Sequence, residues 1–269
     1  MADRLFEEAW RTVRVTRADA VVEVALHRPD ARNALDNGLM EELTEVARLL
    51  RLRSDVLAVV LTGAESYFSA GADLKSAYER ARPTLMQTRE AIMRGPDLCK
   101  AWEDIEAVTV AAIEGYCIGG ACALVVACDF RVMGRSAYVR LPEAPLGMNM
   151  SWRTLPRLVA LIGPARAKQF VMFGEAAEAA RCAEWGMCDE VADDGQALTV
   201  ARAWAAKVAA LPPLPVRMTK EAINAIAGAN SHASIYMDRD QFLLASRSND
   251  YREGVAAFLE KRAPHFKGD

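Results

Sequence analysis

The fold is decided by the stretch Val108 to Ala127, which reads VTVAAIEGYCIGGACALVVA. Val108 to Ile113 is an uninterrupted apolar run, as is typical of a strand that is buried on both faces. A glycine-bearing turn follows, and Gly119 to Ala127 then predicts a buried helix. Phe130 to Met133 predicts another short strand. Strand, crossover helix and strand in this order imply parallel pairing and right-handed crossovers, and therefore an α/β fold.

The residues before this stretch continue the same alternation of strands and helices. Alternating apolar residues between Val13 and Ala25 predict a hairpin of half-buried strands. Asn37 is a candidate N-cap for a helix that extends to Leu50, and Val56 to Leu61 predicts a second buried strand. Residues 84–106 predict a longer helix with a break at Gly95-Pro96, because proline removes an N–H and disfavours helix before it.

After about Ser151 the strand signals fade and helical patterns dominate. We expect a core over residues 1–195 and a C-terminal helical region over residues 196–269. The predicted helices of this half are 165–173, 175–185, 196–210, 216–227, 235–245 and 250–261.

The composition is that of a globular protein with an ample core: 269 residues, 52% of them hydrophobic, and a net charge of −3 at pH 7. This charge provides no basic surface for nucleic acid or for an anionic membrane. The first residues are partly acidic, unlike a signal peptide, and no apolar run reaches the roughly 18 residues of a membrane span. We therefore expect a cytoplasmic protein.

Cysteine and histidine usage gives little support for metal or triad chemistry. The six cysteines form no C-x-x-C pair, and the three histidines, His27, His232 and His265, are isolated in the sequence. We expect reduced, buried thiols and no metal site. Cys117 and Cys122 bracket a glycine turn, but nothing in the sequence indicates a lowered pKa, so we interpret them as structural.

Three short segments carry the candidate chemistry: Phe68 to Leu74 (FSAGADL), Gly115 to Ala121 (GYCIGGA) and Leu141 to Glu143 (LPE). The first two are glycine turns after predicted strands, so each could hold a backbone N–H at the carboxyl end of a strand. Two such N–H groups directed at one point form an oxyanion hole. The third segment supplies a lone carboxylate.

Together with further motifs, these segments resemble the crotonase superfamily, the enoyl-CoA hydratase and isomerase group. The resemblance runs along nearly the whole chain. The further motifs are Arg28-Pro29, Asn33-Ala34-Leu35, Cys128-Asp129, Leu146-Gly147 and Glu253 to Arg262 (EGVAAFLEKR). It implies a core of repeated ββα units wound into a spiral, and a C-terminal helical region that assembles trimers or dimers of trimers. It also implies an acyl-CoA thioester substrate and no separate cofactor.

The resemblance also implies roles for individual residues. The backbone N–H groups of Ala72 and Gly120 would bind the thioester oxygen, where negative charge develops when the adjacent carbon loses a proton. Glu143 would carry that proton, provided that desolvation raises its affinity for protons. The residues implied to line the acyl-CoA path are Arg32, Ala34, Ala70, Ala72, Asp73, Leu74, Lys75, Gly119, Gly120 and Glu143, with Phe258 and Lys261 contributed by a neighbouring subunit.

Ala123 is the most important departure from the family pattern, because hydratases of this family place a second glutamate there. An alanine cannot transfer protons, which favours an isomerase that moves one proton between carbons 2 and 4 of an enoyl thioester. The alternatives are a hydratase that replaces the missing glutamate, a crotonase-type hydrolase or lyase, and a CoA-thioester binding protein without catalysis. In a second departure, Met148, Met150 and Trp152 are candidates either for the wall of an acyl tunnel or for ordinary core.

Overall fold

A computed structural model describes residues 3–64, 66–73, 84–229 and 231–269 of the chain. Its main sheet has six strands, which are β1 (Val13–Ala18), β2 (Val21–Leu26), β3 (Ala58–Thr62), β4 (Val108–Ile113), β6 (Phe130–Gly134) and β9 (Glu190–Ala192). They lie in the order β1-β2-β3-β4-β6-β9. The hairpin of β1 and β2 is antiparallel, and every other neighbouring pair is parallel.

A second, smaller sheet joins β5 (Tyr116–Ile118), β7 (Tyr138–Arg140) and β8 (Ala177–Glu178). β5 pairs with β7 in parallel, and β7 pairs with β8 antiparallel. These strands were not predicted, because two or three residues are too few to show an alternating pattern. The segment predicted as a helix over 175–185 contains β8, and its helix begins only at Ala179.

The helices of the described residues lie mostly where the sequence predicts them, apart from their ends. They are α1 (Arg4–Glu7), α2 (Asn37–Leu50), α3 (Leu85–Ala91), α4 (Arg94–Glu103), α5 (Gly120–Val126), α6 (Thr154–Phe173), α7 (Ala179–Trp185), α8 (Ala197–Ala209), α9 (Pro213–Gly228), α10 (His232–Ala245) and α11 (Asn249–Glu260), with 3-10 turns at Pro29–Ala31 and Ala144–Leu146. None of them combines the length and apolar character needed to cross a bilayer.

Both faces of the main sheet are covered. Buried residues of α2, α4 and α5 pack on one face in the larger core cluster. On the other face, Ala197, Ala201 and Ala205 of α8 pack in a second cluster with residues of β3 and β4. Every residue of β3 and β4 is buried as a result, which explains their uninterrupted apolar sequences. The division at residue 195 stays a prediction, and α8, which follows it, packs directly on this sheet.

Several helix ends differ from the predictions. Asp36, not Asn37, caps α2, because its carboxylate accepts a hydrogen bond from the Leu39 N–H at 2.9 Å. The predicted break at Gly95-Pro96 lies earlier, between α3 and α4, and Pro96 sits in the first turn of α4, where its missing N–H has no intrahelical partner to lose. α6 begins at Thr154 and is kinked at Gly163, whose φ is +74°.

Candidate active site

The Ala72 turn, residues Ser69 to Asp73, is held beside Leu35 by a parallel bridge. The Leu35 N–H donates to the Gly71 carbonyl at 2.8 Å, and the Asp73 N–H donates to the Leu35 carbonyl at 3.3 Å. In this pattern the N–H of Ala72 itself points away from Leu35. Gly71 has a φ of +83°, a conformation that glycine adopts without steric cost.

The Gly120 turn, residues Ile118 to Gly120, joins β5 to α5. Gly119 has a φ of +56° and a ψ of −124°, and its N–H donates to the Arg140 carbonyl at 2.8 Å. Gly120 is the first residue of α5, so its N–H has no acceptor within the helix. Within the described part of the chain, neither the Ala72 N–H nor the Gly120 N–H donates a hydrogen bond.

The two turns are in direct contact. Ser69 and Cys117 form a parallel bridge, and the Ile118 N–H donates to the Ser69 carbonyl at 3.2 Å. A Cβ added to Gly71 would lie 2.5 Å from the Ile118 carbonyl oxygen, so the approach requires glycine. Ala72 and Gly120 directly follow this contact in their two segments. Their unpaired N–H groups therefore belong to one junction.

Glu143 lies against the Gly120 turn. Its Oε1 is 2.9 Å from the position that a Cβ on Gly119 would occupy. The residue as a whole keeps some exposure, but its Oε2 atom is buried and has no hydrogen-bond partner among the described residues. Burial raises the pKa of Glu143 to about 7, although its own backbone and the charge of Arg140 oppose the shift. Near neutral pH this carboxyl can therefore either accept or donate a proton.

The segment that carries Glu143 is fixed by α11. Glu143 directly precedes the 3-10 turn Ala144–Leu146, which ends at Gly147 with a φ of +76°. A Cβ on Gly147 would lie 2.7 Å from the Asp250 carbonyl oxygen, and a Cβ on Gly254 would lie 2.5 Å from the Leu146 carbonyl oxygen. Each glycine thus lets the backbone of the other element approach closely. We call this pair the Gly147/Gly254 contact.

Two buried polar residues, which the motifs contain but to which the sequence analysis gave no role, support the Ala72 turn. The Asn33 amide donates to the Phe68 carbonyl at 3.1 Å. The Ser69 hydroxyl donates to the Asn33 carbonyl at 2.6 Å and accepts from the Gly71 N–H at 3.1 Å. Asn33 has a φ of +53°, which asparagine tolerates better than most residues. The sequence feature that could have indicated this role is Asn33 itself, because it is the polar residue of a motif that is otherwise apolar.

Comparison with known proteins assigns the chain to a family. Residues 16–269 match the family model described as Enoyl-CoA hydratase/isomerase. The chain belongs to the enoyl-CoA hydratase/isomerase family. It is 34% identical over 260 residues to a Mycobacterium bovis protein named "Probable enoyl-CoA hydratase", covering 96% of this chain and 98% of that protein.

Two further comparisons agree with this assignment. The chain is 32% identical over 255 residues to the 2,3-dehydroadipyl-CoA hydratase of Escherichia coli K12, covering 94% of this chain and 98% of that enzyme. The crystal structure of an enoyl-CoA hydratase from Mycobacterium avium subsp. paratuberculosis superposes with a TM-score of 0.86 at 24% identity, covering 96% of this chain and all of that one. The latter supports the predicted crotonase fold.

The family acts on acyl-CoA thioesters, and several residues predicted to line the CoA path lie together beside the Ala72 turn. The Ala70 N–H donates to the Arg32 carbonyl at 3.1 Å. Ala34, which follows shortly after Arg32 in the chain, is buried. Asp73 pairs with Arg28 at 3.5 Å. Arg28, which was not predicted as a site residue, also pairs with Asp36 at 3.2 Å and donates to the Ala34 carbonyl.

The other predicted CoA-binding residues are placed differently. Leu74 and Lys75 lie outside the described residues. Phe258 lies on α11 and is 56% exposed, so its ring is available to a neighbouring molecule. Lys261 is the C-cap of α11, with a φ of +55°, so it does not continue the helical face of Phe258.

The position at which family hydratases have a second glutamate is apolar in this member. Ala123 is fully buried within α5. Burial raises the pKa of Cys117 and Cys122 well above the ordinary value of 9.0, which keeps both thiols neutral. Neither cysteine is therefore an activated nucleophile.

The segment between Gly147 and Arg153 contains the three residues that could wall a tunnel or belong to the core. Met150 lies in the larger core cluster, and Met148 is buried. Trp152 is half-buried and reaches the Gly120 turn: a Cβ on Gly120 would lie 2.4 Å from its Cη2. Of the three, Trp152 is thus the one placed against a predicted catalytic position.

Proposed function

We propose that this member of the family is an enoyl-CoA isomerase that moves one proton between carbons 2 and 4 of an enoyl thioester. The observation that carries the proposal is the combination of Glu143, a carboxyl whose pKa is raised to about 7, with a buried alanine at position 123. One carboxyl that exchanges a proton near neutral pH suffices for isomerisation. Hydratases of the family use two carboxyl groups.

In the proposed reaction the thioester oxygen accepts hydrogen bonds from the Ala72 and Gly120 N–H groups. The Glu143 carboxylate takes a proton from C2, and the C–H electron pair moves toward the thioester, which becomes an enolate. The two N–H groups stabilise the charge on its oxygen. Glu143 then returns the proton to C4. The double bond moves from C3–C4 to C2–C3, and the carboxylate is regenerated.

Hydration is the second candidate, because the named relatives are hydratases. It would add water across C2–C3, with Glu143 supplying the proton to C2. The attacking water would then need a group other than residue 123 to orient it. The choice between the two reactions therefore depends on whether the single carboxyl can also direct a water molecule.

We further infer that the protein works as a trimer or a dimer of trimers. The support is a set of exposed apolar side chains concentrated on the C-terminal helices, which includes Ile226, Tyr236, Leu244 and Phe258. Apolar surface gathered in this way is typical of a subunit interface. A neighbouring subunit could then meet Phe258 and Lys261, and the CoA moiety could bind between the two chains.

Mass spectrometry in heavy water separates the candidate reactions in one experiment. A 3-enoyl-CoA and crotonyl-CoA are incubated with the protein in D₂O. Isomerisation converts the 3-enoyl ester into a conjugated product without adding water, whereas hydration of crotonyl-CoA adds the mass of D₂O. Hydrolysis releases free CoA. Rapid hydration without isomerisation would replace our proposal, and tight binding without turnover would indicate a binding protein.

Glu143→Gln is the matching variant, because it keeps the side-chain shape and removes the titrating group. We expect it to bind acyl-CoA esters with nearly unchanged affinity, and its turnover to fall by about 10²- to 10⁴-fold. Steady-state kinetics and calorimetric titration on the same preparation measure both quantities. Near-normal turnover would remove Glu143 from the mechanism.

A further inference from the structure

The indole of Trp152 is enclosed between two glycines of different helices. A Cβ on Gly95, in α4, would lie 2.0 Å from Trp152 Cε2, and a Cβ on Gly120, in α5, would lie 2.4 Å from its Cη2. The ring thus fills space that any larger residue at either position would occupy. Its benzene edge lies on Gly120, while its pyrrole side lies on Gly95.

The backbone that presents this ring is in an unusual conformation. Trp152 and Arg153 have φ values of +62° and +56°, and neither is a residue type that favours the left-handed region. Two consecutive residues in this region carry backbone strain, so neighbouring contacts must hold them there. The position of Trp152 is therefore imposed by its surroundings.

Asp238 of α10 provides one of those contacts. Its carboxylate accepts a hydrogen bond from the Arg153 N–H at 3.1 Å, and the side chain is almost fully buried. Arg157 also contacts these two residues: its Nη1 donates to the Trp152 carbonyl at 3.3 Å and to the Arg153 carbonyl at 3.0 Å. Arg157 is itself paired with Glu103 at 3.0 Å.

Trp152 and Glu143 contact adjacent residues of the Gly120 turn. Glu143 Oε1 lies at Gly119, and the indole edge lies at Gly120. An acyl-CoA whose oxygen binds the Gly120 N–H, and whose C2 lies at Glu143, must extend its acyl chain from this same turn. The rigid ring then bounds the space into which the chain can extend, because an indole pinned between two backbones cannot collapse aside.

We propose that Trp152 limits the acyl group to short chains and that Asp238 is the positioning residue that holds Trp152 in place. The inference rests on the proposed acyl-CoA site and adds its substrate class. It also gives the C-terminal region a role in acyl-group specificity, because Asp238 belongs to α10.

Binding of saturated esters tests the proposal without any reaction. The affinities of butyryl-CoA and octanoyl-CoA are measured by calorimetry for the wild type, Trp152→Ala and Trp152→Leu. We expect the wild type to bind butyryl-CoA more tightly than octanoyl-CoA. In both variants the ratio of the two affinities should shift toward octanoyl-CoA by about tenfold or more. The reason is that each additional methylene buried in an apolar pocket is worth about 10-fold or more in affinity. Since saturated esters do not isomerise, this result is independent of the proposed reaction.

Asp238 is tested with a matched control on the same helix. Asp238→Ala should shift the preference in the same direction by a smaller factor, whereas Asp238→Asn keeps an acceptor and should restore most of the wild-type preference. Asp240→Asn is the control, because Asp240 pairs with Arg89 at 3.0 Å and not with the Trp152 segment. We expect no shift for Asp240→Asn.

Gly95→Ala perturbs the same ring from α4. This variant tests the proposal if the Trp152 variants do not fold. Its added methyl would lie where the indole now lies and would move the ring relative to Gly120, without changing a residue of the Gly120 turn itself. An altered chain-length preference in this variant supports the proposal. An unchanged preference in the folded variants of Trp152 and Gly95 would overturn it, as would equal effects of Asp238→Ala and Asp240→Asn.

Discussion

Glu143 combines a buried, unpaired oxygen with contact to a glycine turn, and its surroundings decide its chemistry. The absence of a hydrogen-bond donor to Oε2 among the described residues leaves burial as the dominant influence on its pKa. A carboxyl with a pKa of about 7 is half ionised at neutral pH. The same burial that prepares this group for proton transfer also disfavours its charged form in the folded protein.

A pH dependence of catalysis follows from that pKa. Proton removal from C2 requires the ionised carboxylate, so kcat/KM for isomerisation should rise with pH and level off above about 7. Initial rates measured between about pH 5 and pH 9 give the midpoint of this rise. A flat profile across this range would mean that the ionisation of Glu143 does not control the reaction.

Stability should depend on pH in the opposite direction. The folded state holds the Glu143 proton more tightly than the unfolded chain does, since the pKa is about 7 instead of 4.5. The stabilising proton is fully bound below pH 4.5 and is lost as the pH rises through about 7. Glu143→Gln keeps a neutral group, so it should raise the free energy of unfolding at pH 8 by up to about 3 kcal/mol and change it little at pH 5.

Urea unfolding at the two pH values measures this difference, and Glu103→Gln is its control. The hydrogen bond and charge of Arg157 outweigh burial and lower the pKa of Glu103, so removing that carboxylate should destabilise the fold at pH 8. Equal stability of wild type and Glu143→Gln at both pH values would show that Glu143 is not desolvated.

Helix α5 is the element that separates this chain from the hydratase pattern. All of its residues are buried, so position 123 faces protein on every side. Its alanine keeps α5 closely packed but contributes no group to proton transfer. In the proposed mechanism α5 thus supplies the Gly120 N–H, and acid–base chemistry falls to the neighbouring Glu143 segment.

Ala123→Glu should restore part of the missing chemistry at a cost in stability. We expect hydration of crotonyl-CoA to increase relative to isomerisation, and the fold to lose several kcal/mol because the new charge lacks a partner. Product ratios by mass spectrometry and thermal melting measure the two effects. Ala123→Gln, of similar size but without a titrating group, is the control. A folded Ala123→Glu variant with an unchanged product ratio contradicts our interpretation of this position.

The sequence predicts the bounds of a helix or strand well where all of its residues are buried. The bounds of β4 match the prediction, and those of α5 differ by only one residue at each end, because an apolar run flanked by glycines has few other interpretations. The small sheet was missed, since its strands pair across long sequence separations and are too short to carry a pattern. The contact of Trp152 with Gly95 is also a property of the folded chain, and no local signal indicates it.

In the whole molecule, the C-terminal region packs on the candidate site and also carries exposed apolar side chains. The Gly147/Gly254 contact joins α11 to the Glu143 segment, and Asp238 joins α10 to Trp152. The resemblance predicted a role for this region in trimer formation, and that role remains a proposal. Contacts of α10 and α11 with their own chain could not be predicted from helical periodicity, which shows only that each helix has an apolar face.

Removal of residues 250–269 should therefore affect the site directly. We expect turnover to fall by about tenfold or more, because the Glu143 segment loses its packing partner, and binding of acyl-CoA esters to weaken. If the proposed assembly is correct, the oligomer's mass also falls. Kinetics, calorimetry and light scattering measure the three effects, and removal of residues 263–269 alone, which keeps α11, is the control. Full turnover by the longer deletion would show that α11 does not fix Glu143.

The Gly147/Gly254 contact has a consequence for the timing of biosynthesis. Ribosomes deliver the chain from its N-terminus, and folding can begin before synthesis ends. The segments that carry Ala72 and Gly120 emerge well before α11, so their junction can form while the nascent chain is still attached. The Glu143 segment gains its partner only when Gly254 has left the exit tunnel. The Glu143 segment is thus the last of the three site segments to gain its packing partner.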